Sequence, residues 1–361
     1  MDIDVQGLTL KYGGATAIDN LDLSVEDGEA LVLLGQSGCG KTSTMRCIAG
    51  LETPSAGTIK IGGEAVFDSK TGVSKPSHKR NIGMVFQSYA IWPHLSVFEN
   101  VAFPLVMERV KKPEIKSRVE QTLELVGLSA MAQRGASLLS GGQMQRVALA
   151  RSLVMQPSVL LLDEPLSNLD ARLRDRLRIE LRDLQQRLGL TSIYVTHDQE
   201  EALALADKIA LMQHGHIVQI GTPDDIYSRP QSASIADFLG VGNIIPSDIV
   251  DPTTIKIVGL DRDVAVASIP QVVDNLRACV RAEDIVLGPA GQQGQNIFDG
   301  KLRVISFQGP TVRYLVEATG GAQFTVLAPK VTAADYKLHD DVTFAITPDA
   351  VQALPQEVAA A

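Results

Sequence analysis

Five short apolar runs recur along the first part of the chain, each bounded by glycine, proline or charged residues. They are "EALVLLG", "NIGMVFQ", "SVLLLDEP", "TSIYVTH" and "KIALMQHG", and helical patterns separate several of them. Strands that alternate with helices form a largely parallel sheet with helices on both faces. The pattern therefore predicts an α/β domain over residues 1–236.

The stretch from about residue 89 to 156 has a different pattern. Its apolar positions recur at helical spacing throughout, as in "EIKSRVEQTLELVGL". This predicts a helical subdomain, about 89–156, inserted into the α/β domain.

The character of the sequence changes again near residue 237. Short β-rich pieces such as "TIKIVGL", "KLRVISFQG" and "TVRYLVEATGGAQFTVLAP" follow one another, and glycine and proline separate them. Gly320 and Gly321, between two alternating runs, predict a hairpin. Residues 237–361 are therefore predicted to form a small all-β barrel or sandwich.

Composition excludes several kinds of protein. A formal net charge of −9 disfavours broad binding to nucleic acid, and an odd number of cysteines without paired spacing disfavours both a disulfide framework and a zinc site. The sequence shows no long apolar segment that would predict a membrane span and no N-terminal leader pattern. We expect a cytoplasmic protein with no nucleic-acid partner.

The stretch "GQSGCGKT" follows an apolar strand and opens a helix, as the motif G-x-x-x-x-G-K-[ST] requires. Its glycines let backbone N–H groups face phosphate oxygens, Lys41 can reach the outer phosphates, and the Thr42 hydroxyl can bind Mg²⁺. The predicted nucleotide-binding residues of this loop are Gly35, Gln36, Ser37, Gly38, Cys39, Gly40, Lys41, Thr42 and the adjacent Ser43.

Two acidic residues end the strongly apolar run "SVLLLDEP". Asp163 and Glu164 come where the strand leaves the carboxyl edge of the sheet, beside the phosphate loop. Asp163 is predicted to hold Mg²⁺, usually through water, and Glu164 to act as the general base for an attacking water. These features are shared by kinases, GTPases and transport ATPases, and do not separate them.

A second glycine turn, "LSGGQMQR", opens another helix about a hundred residues after the first. Ser140 can donate from its side chain, and Gly141 and Gly142 leave the backbone open to close approach by an anion. A chain that already carries a phosphate loop therefore has a further phosphate-binding turn, which includes Gln143.

The order "LSGGQ" then "LLLDEP" resembles the signature motif and Walker B strand of ATP-binding cassette (ABC) proteins, and other family elements follow the same order. The resemblance implies that Tyr12 stacks on adenine and that Gln87 contacts Mg²⁺ or the attacking water. It implies that "SNLD", the crossing loop Ser167–Asp170, reaches a second subunit through Asp170, and that His197 contacts the γ-phosphate and orients the base.

The resemblance also explains the two phosphate turns. In ABC proteins the signature residues cover the γ-phosphate bound by the opposite subunit, so the family implies a homodimer around two ATP, with Mg²⁺ held by Thr42, Gln87 and Asp163. Two departures from common family sequences, Met144 and the asparagine of "SNLD", lie beside the residues of chemistry.

A cassette followed by a β-rich tail resembles the ATPase subunits of bacterial importers with a C-terminal TOBE domain, an OB-like fold. "VRAEDI" resembles the usual "IRPEDV" of that domain. The resemblance implies integral membrane permease subunits, a solute-binding protein in the complex, and a peripheral location at the cytoplasmic face of the inner membrane. The polyamine and ferric-iron group is favoured for the solute, while a sugar or glycerol-phosphate importer and a free-standing ATPase stay open.

Overall fold

The computed structural model describes residues 1–269, 275–333 and 335–357. Contacts divide the chain into two compact units, Met1–Ser228 and Arg229–Ala361. The predicted boundary after residue 236 falls within the helix Ala233–Phe238 of the second unit.

The first unit, described throughout, is a mixed α/β structure, as the hydrophobic pattern predicts. Its strands are β1 (Ile3–Tyr12), β2 (Ala15–Val25), β3 (Ala30–Gly35), β4 (Ala56–Ile61), β5 (Glu64–Asp68), β6 (Val73–Ser74), β7 (Ile82–Val85), β8 (Val159–Asp163), β9 (Thr191–Thr196), β10 (Lys208–Gln213) and β11 (His216–Gly221). Its helices are α1 (Lys41–Ala49), α2 (Val97–Met107), α3 (Lys112–Leu125), α4 (Gly141–Leu153), α5 (Ala171–Leu188), α6 (Gln199–Leu205) and α7 (Pro223–Ser228).

The five apolar runs form the parallel part of one sheet. Its strand order is β11-β10-β3-β9-β8-β7, and only β11 at the edge is antiparallel. Strands β3, β8 and β9 are buried along their whole length, which explains why they read as continuous apolar runs. Because carboxyl ends of parallel strands share one edge, the segments after β3, β7, β8 and β9 collect there.

A second sheet in this unit was not predicted from the hydrophobic pattern. It is antiparallel, with the order β2-β1-β4-β5-β6. Strand β1 alternates buried and less buried positions in part and has register shifts, so its signal is weaker than that of the buried runs. Residues Ile3, Val5 and Leu8 of this sheet share a core with Leu31 of the parallel sheet and Met45 of α1.

Helices α2, α3 and α4 lie within the stretch 89–156 that was predicted to be helical. A capping box between Ser96 and Glu99 starts α2, and Ser140 with Gln143 forms a second capping box at the start of α4. The signature motif is therefore the N-terminus of a helix.

The described part of the second unit is mostly β, as predicted, after a short helix α8 (Ala233–Phe238). It forms two antiparallel sheets, in the orders β14-β13-β12-β15-β21 and β16-β20-β17-β18-β19, around a core that includes Phe298, Phe324 and Phe344. The predicted hairpin pairs β18 with β19 around Gly321, whose φ is 94°. The strands are β12 (Asn243–Asp251), β13 (Thr254–Ile257), β14 (Val264–Ala265), β15 (Arg277–Val280), β16 (Ile285–Pro289), β17 (Ile297–Phe307), β18 (Thr311–Ala318), β19 (Gln323–Pro329), β20 (Asp341–Ile346) and β21 (Gln352–Leu354).

Candidate active site

The phosphate loop leaves β3 and enters α1, in the context that the motif requires. Lys41 is buried, and its ammonium group donates hydrogen bonds of 2.8 Å to the carbonyl oxygens of Gly35 and Gln36. The loop therefore holds its lysine with its own backbone, while Gln36, Ser37 and Gly38 are exposed.

Glycine is required at two places in this loop by close backbone approach. A Cβ on Gly40, whose φ is 104°, would lie 2.7 Å from the carbonyl oxygen of Ala17, and a Cβ on Gly35 would lie 2.3 Å from that of Met212. Cys39 is buried beside them, with its Sγ 3.7 Å from the Lys41 ammonium. The thiol fills space under the loop.

Tyr12, at the end of β1, presents its ring to solvent and is 53% exposed. Its hydroxyl donates a hydrogen bond to Glu52, and this bond, more than burial, raises the pKa of the phenol above its usual value. Ser43 at the start of α1 also contacts the hydroxyl. An exposed aromatic ring is thus held beside the helix that follows the phosphate loop.

Thr42 and Asp163 meet at the carboxyl edge of the sheet. The Thr42 hydroxyl donates a 3.0 Å hydrogen bond to the Asp163 carboxylate. Burial raises the pKa of Asp163, and the hydrogen bond from Thr42 opposes that rise. The pair brings a hydroxyl and a poorly solvated carboxylate together, which is oxygen chemistry suited to Mg²⁺.

Glu164 lies between two other predicted residues. Its carboxylate accepts a 3.0 Å hydrogen bond from the Gln87 side-chain nitrogen, and the other oxygen is 3.3 Å from His197 Nδ1. Gln87 follows β7 and His197 follows β9, on either side of β8 in the sheet. Glu164 itself has a φ of 42°, a left-handed conformation that is costly for a residue other than glycine and is often found at functional sites.

The crossing loop supports this group in a way that the sequence motifs did not predict. Asn168 donates a 2.8 Å hydrogen bond from its side-chain amide to the backbone carbonyl of Gln87, and the Ser167 hydroxyl donates to the carbonyl of Glu164 over 3.0 Å. The asparagine of "SNLD" therefore holds the backbone of Gln87. The presence of asparagine at a position where common family sequences have another residue could have indicated such a role. Asp170 accepts a 3.0 Å hydrogen bond from the Leu173 backbone and caps α5.

The turn after Gln87 is strained and is held by an arginine. Tyr89 and Ala90 have φ values of 61° and 47°. Arg151 of α4 donates to the carbonyl oxygens of both residues, over 2.9 and 2.6 Å, and its guanidinium lies 4.8 Å from the centre of the Trp92 ring. The sequence motifs gave no signal for this role of Arg151, because the contact depends on how α4 packs against the turn.

The signature turn is ordered by its own chain. Ser140 accepts from the backbone of Gln143 over 3.4 Å, and the Gln143 side chain accepts from the Ser140 backbone over 3.0 Å. A Cβ on Gly142 would lie 3.0 Å from Leu173 of α5, and one on Gly141 would lie 3.1 Å from Leu169. These glycines therefore allow α4 to pack closely on the crossing loop and α5.

Sequence comparison identifies two known domains in the chain. The pattern of the ABC transporter family matches residues 18–167, and that of the TOBE domain matches residues 278–354. The first match includes the phosphate loop, Gln87, the signature turn and Glu164.

Similar proteins extend over most of the chain. The Fe(3+) ions import ATP-binding protein FbpC of Brucella melitensis is 45% identical over 328 residues, 90% of each chain, and FbpC 1 of Rhizobium meliloti is 45% identical over 90% of this chain and 92% of its own. The trehalose/maltose import ATP-binding protein MalK of Thermococcus litoralis is 52% identical over 229 residues, 63% of this chain and 62% of its own.

A solved structure, cbiO1 of Clostridium perfringens, described as part of the ABC transporter complex cbiONQ, is also similar. It is 30% identical with a TM-score of 0.57 and covers 63% of this chain and 90% of its own. In the described part of the chain, no helix has both the length and the apolar character needed to cross a membrane. The chain belongs to the ABC transporter family, among its import ATP-binding proteins, and combines an ATP-hydrolysing cassette with a TOBE domain.

Proposed function

We propose that this chain powers solute import by hydrolysing ATP at the site built around Glu164. The observation that carries the proposal is the contact of Glu164 with Gln87 on one side and His197 on the other, beside Thr42 and Asp163. A carboxylate held at 3.0 Å and 3.3 Å by two flanking side chains can orient a water and accept its proton.

Different residues of the proposed site bind different parts of ATP. Tyr12 stacks on the adenine ring, and the backbone of residues 35–43 surrounds the phosphates at the N-terminus of α1. Lys41, whose ammonium donates to two carbonyl oxygens of its own loop, would exchange one or both of these bonds for bonds to phosphate oxygens. The exchange is favourable because the positive ammonium then bonds an anionic phosphate oxygen, and a bond between opposite charges is stronger than a bond to a neutral carbonyl oxygen.

The residues at the sheet edge fit Mg²⁺. Thr42 and Asp163 would hold it, Asp163 through water. Gln87 donates to Glu164 from its side-chain nitrogen, so its side-chain oxygen would serve as the ligand. Burial raises the pKa of Asp163, so a nearby cation would stabilise its charged form. When bound, Mg²⁺ neutralises phosphate charge and helps to align the leaving group.

We propose that two copies pair head to tail, so that Ser140, Gly141, Gly142 and Gln143 of one meet the ATP held by the other. The Ser140 oxygen accepts the helix cap, which leaves its hydroxyl proton for an acceptor outside the helix. Asp170 and the crossing loop lie beside this turn in the same chain, since Gly141 packs close to Leu169. Loss of the γ-phosphate on hydrolysis would remove the link between the copies and open the dimer.

The partner surface is proposed to lie at residues 89–97. This segment joins Gln87 to α2, and the Trp92 ring packs against that of Phe103 at a tilt of 37°, with ring centres 4.2 Å apart. A permease bound there could act on Gln87 through the strained turn that Arg151 holds. The working complex would then be a pair of these chains at the cytoplasmic face of the inner membrane, with integral permease subunits and a solute-binding protein.

Ferric iron is the proposed solute. The iron-import relatives match 90% of the chain, including the second domain, whereas the maltose-import relative matches 63%. The cassette hydrolyses ATP in iron importers and sugar importers alike. Similarity that extends into the second domain therefore says more about which kind of importer this chain belongs to. The 52% identity to the sugar-import relative makes a sugar importer the second candidate.

The function is tested in the native organism by deleting the coding sequence and measuring uptake of labelled ferric iron and labelled maltose. We expect loss of iron uptake, restoration by the unaltered chain and no restoration by Glu164→Gln. Lost maltose uptake with normal iron uptake would assign the sugar group instead. Normal uptake of both would refute the proposed solutes, and restoration by Glu164→Gln would refute the hydrolytic role.

A further inference from the structure

One arginine contacts two segments beside the proposed catalytic pair. Arg174, near the start of α5, donates from Nη1 to the Asp198 carboxylate over 3.1 Å and from Nη2 to the carbonyl oxygen of Leu169 over 3.1 Å. Asp198 directly follows His197, and Leu169 lies in the crossing loop, directly before Asp170. A single guanidinium thus joins the histidine segment to the crossing loop.

The histidine segment is held by the residues on either side of His197. The Thr196 hydroxyl donates to Glu201 over 2.7 Å and accepts from the Asp198 backbone over 2.9 Å. Asp198 also caps α6 by accepting from the Glu201 backbone over 3.1 Å. His197 itself is exposed and reaches Glu164, so its direction depends on this frame.

The surroundings of Arg174 favour a guanidinium over other cations. Its Nε has no hydrogen-bond partner among the described residues and lies 3.8 Å from the buried carboxylate of Glu201, while its two other nitrogens point to different loops. A planar fork can bond acceptors in two directions at once, which the single ammonium of lysine does less well. The contact with Asp198 is partly shielded from water, so it is stronger than an exposed ion pair.

We propose that Arg174 is a positioning residue that couples the crossing loop to His197. Movement of the crossing loop against a second copy is transmitted through Leu169 and Asp198 to the histidine that faces Glu164. The coupling rests on the proposed function, because it affects hydrolysis only if His197 and the paired copy act in it. Arg174 does not touch the reacting atoms.

The test compares kcat with the Kd for ATP in the full chain. Arg174→Ala should lower kcat about 10- to 100-fold, since small displacements of reacting groups have effects of this size, and should change the ATP Kd less than about threefold. Arg174→Lys should recover part of the loss. Asp198→Asn, which weakens the ion pair and keeps a polar cap, should lower kcat in the same direction.

A double-mutant cycle separates positioning from general destabilisation. If Arg174 acts through His197, Arg174→Ala should cost less in a His197→Ala background than in the unaltered chain. Arg187→Ala is the matched control, because it removes an arginine from the same helix whose pair with Asp183 is exposed, and it should leave kcat unchanged. Thermal unfolding checks the fold of each variant, and Lys and Asn variants carry the test if Arg174→Ala does not fold.

The outcomes distinguish the two proposals. Unaltered kcat in Arg174→Ala, Arg174→Lys and Asp198→Asn, with hydrolysis strongly slowed in Glu164→Gln, would overturn the coupling alone. Fully multiplicative effects of Arg174→Ala and His197→Ala would also overturn it. Normal hydrolysis by Glu164→Gln would instead refute the proposed function on which the coupling rests.

Discussion

The side-chain nitrogen of Gln87 donates a 3.0 Å hydrogen bond to the carboxylate of Glu164. This contact joins the end of β7 to the end of β8, and Asn168 holds the same Gln87 by its backbone carbonyl. The glutamate is therefore oriented by contacts within its own chain. If a permease binds at residues 89–97, as proposed, movement of that segment would change the direction of Glu164.

Glu164→Gln should bind ATP with Mg²⁺ and hydrolyse it about 10²- to 10⁴-fold more slowly, because an amide cannot accept the proton of the attacking water. Closed dimers should accumulate with ATP, which size-exclusion chromatography would detect. Phosphate release measures the rate of hydrolysis. Glu120→Gln is a control, since that carboxylate is exposed on α3 and pairs only loosely with Lys116. Turnover equal to that of the unaltered protein would rule out Glu164 as the base.

Ser140→Ala should weaken ATP-driven dimer formation by more than the loss of a helix cap alone would. It removes a helix cap worth about 1 kcal/mol of stability together with the hydroxyl proposed to meet the second ATP. Ser232→Ala is the matched control, because it removes the cap of α8. Equal dimerisation by both variants, compared by light scattering with ATP, would contradict the role of Ser140. Gly142→Ala would not separate dimer formation from packing, since its Cβ would lie 3.0 Å from Leu173.

Arg151→Ala should lower the free energy of unfolding by roughly 2–4 kcal/mol, because it removes charge-assisted hydrogen bonds to the carbonyl oxygens of Tyr89 and Ala90. It should also shift the fluorescence of Trp92, the single tryptophan, which lies under the guanidinium. Arg151→Lys should recover the stability only in part, since its ammonium lacks the planar fork. Unchanged Trp92 fluorescence and an unchanged free energy of unfolding would show that the strained turn does not depend on Arg151.

Glu201→Gln should reduce the pH dependence of stability in the first unit. Burial raises the pKa of Glu201 above its usual 4.5, so the folded protein binds this proton more tightly than the unfolded chain does. The resulting stability is present in acid and is lost as pH rises from 4.5 through the folded pKa. In urea titrations across this range, the stability of Glu201→Gln should therefore rise relative to the unaltered protein with increasing pH. A stability difference between the two proteins that stays constant with pH would contradict a raised pKa of Glu201 in the folded protein.

Much of the cassette could be predicted because its signals are local. Five apolar runs became the five parallel strands, and the signal is strongest for β3, β8 and β9, because a strand buried along its whole length leaves little room for polar residues. The phosphate loop and the signature turn could be recognised because closely approaching backbone restricts the residues allowed there. The antiparallel sheet was missed because its strands are only partly buried and are interrupted by register shifts.

The sequence by itself determined the kinds of chemical group present: a lysine loop for phosphate, carboxylates at a strand end and a second helix start with glycines. Tertiary structure decided which groups meet. Gln87, Glu164 and His197 lie far apart in the chain, and only the order of β7, β8 and β9 brings them together. Arg151 and Arg174 make contacts between separate elements, and such contacts depend on packing geometry that no local pattern of residues encodes.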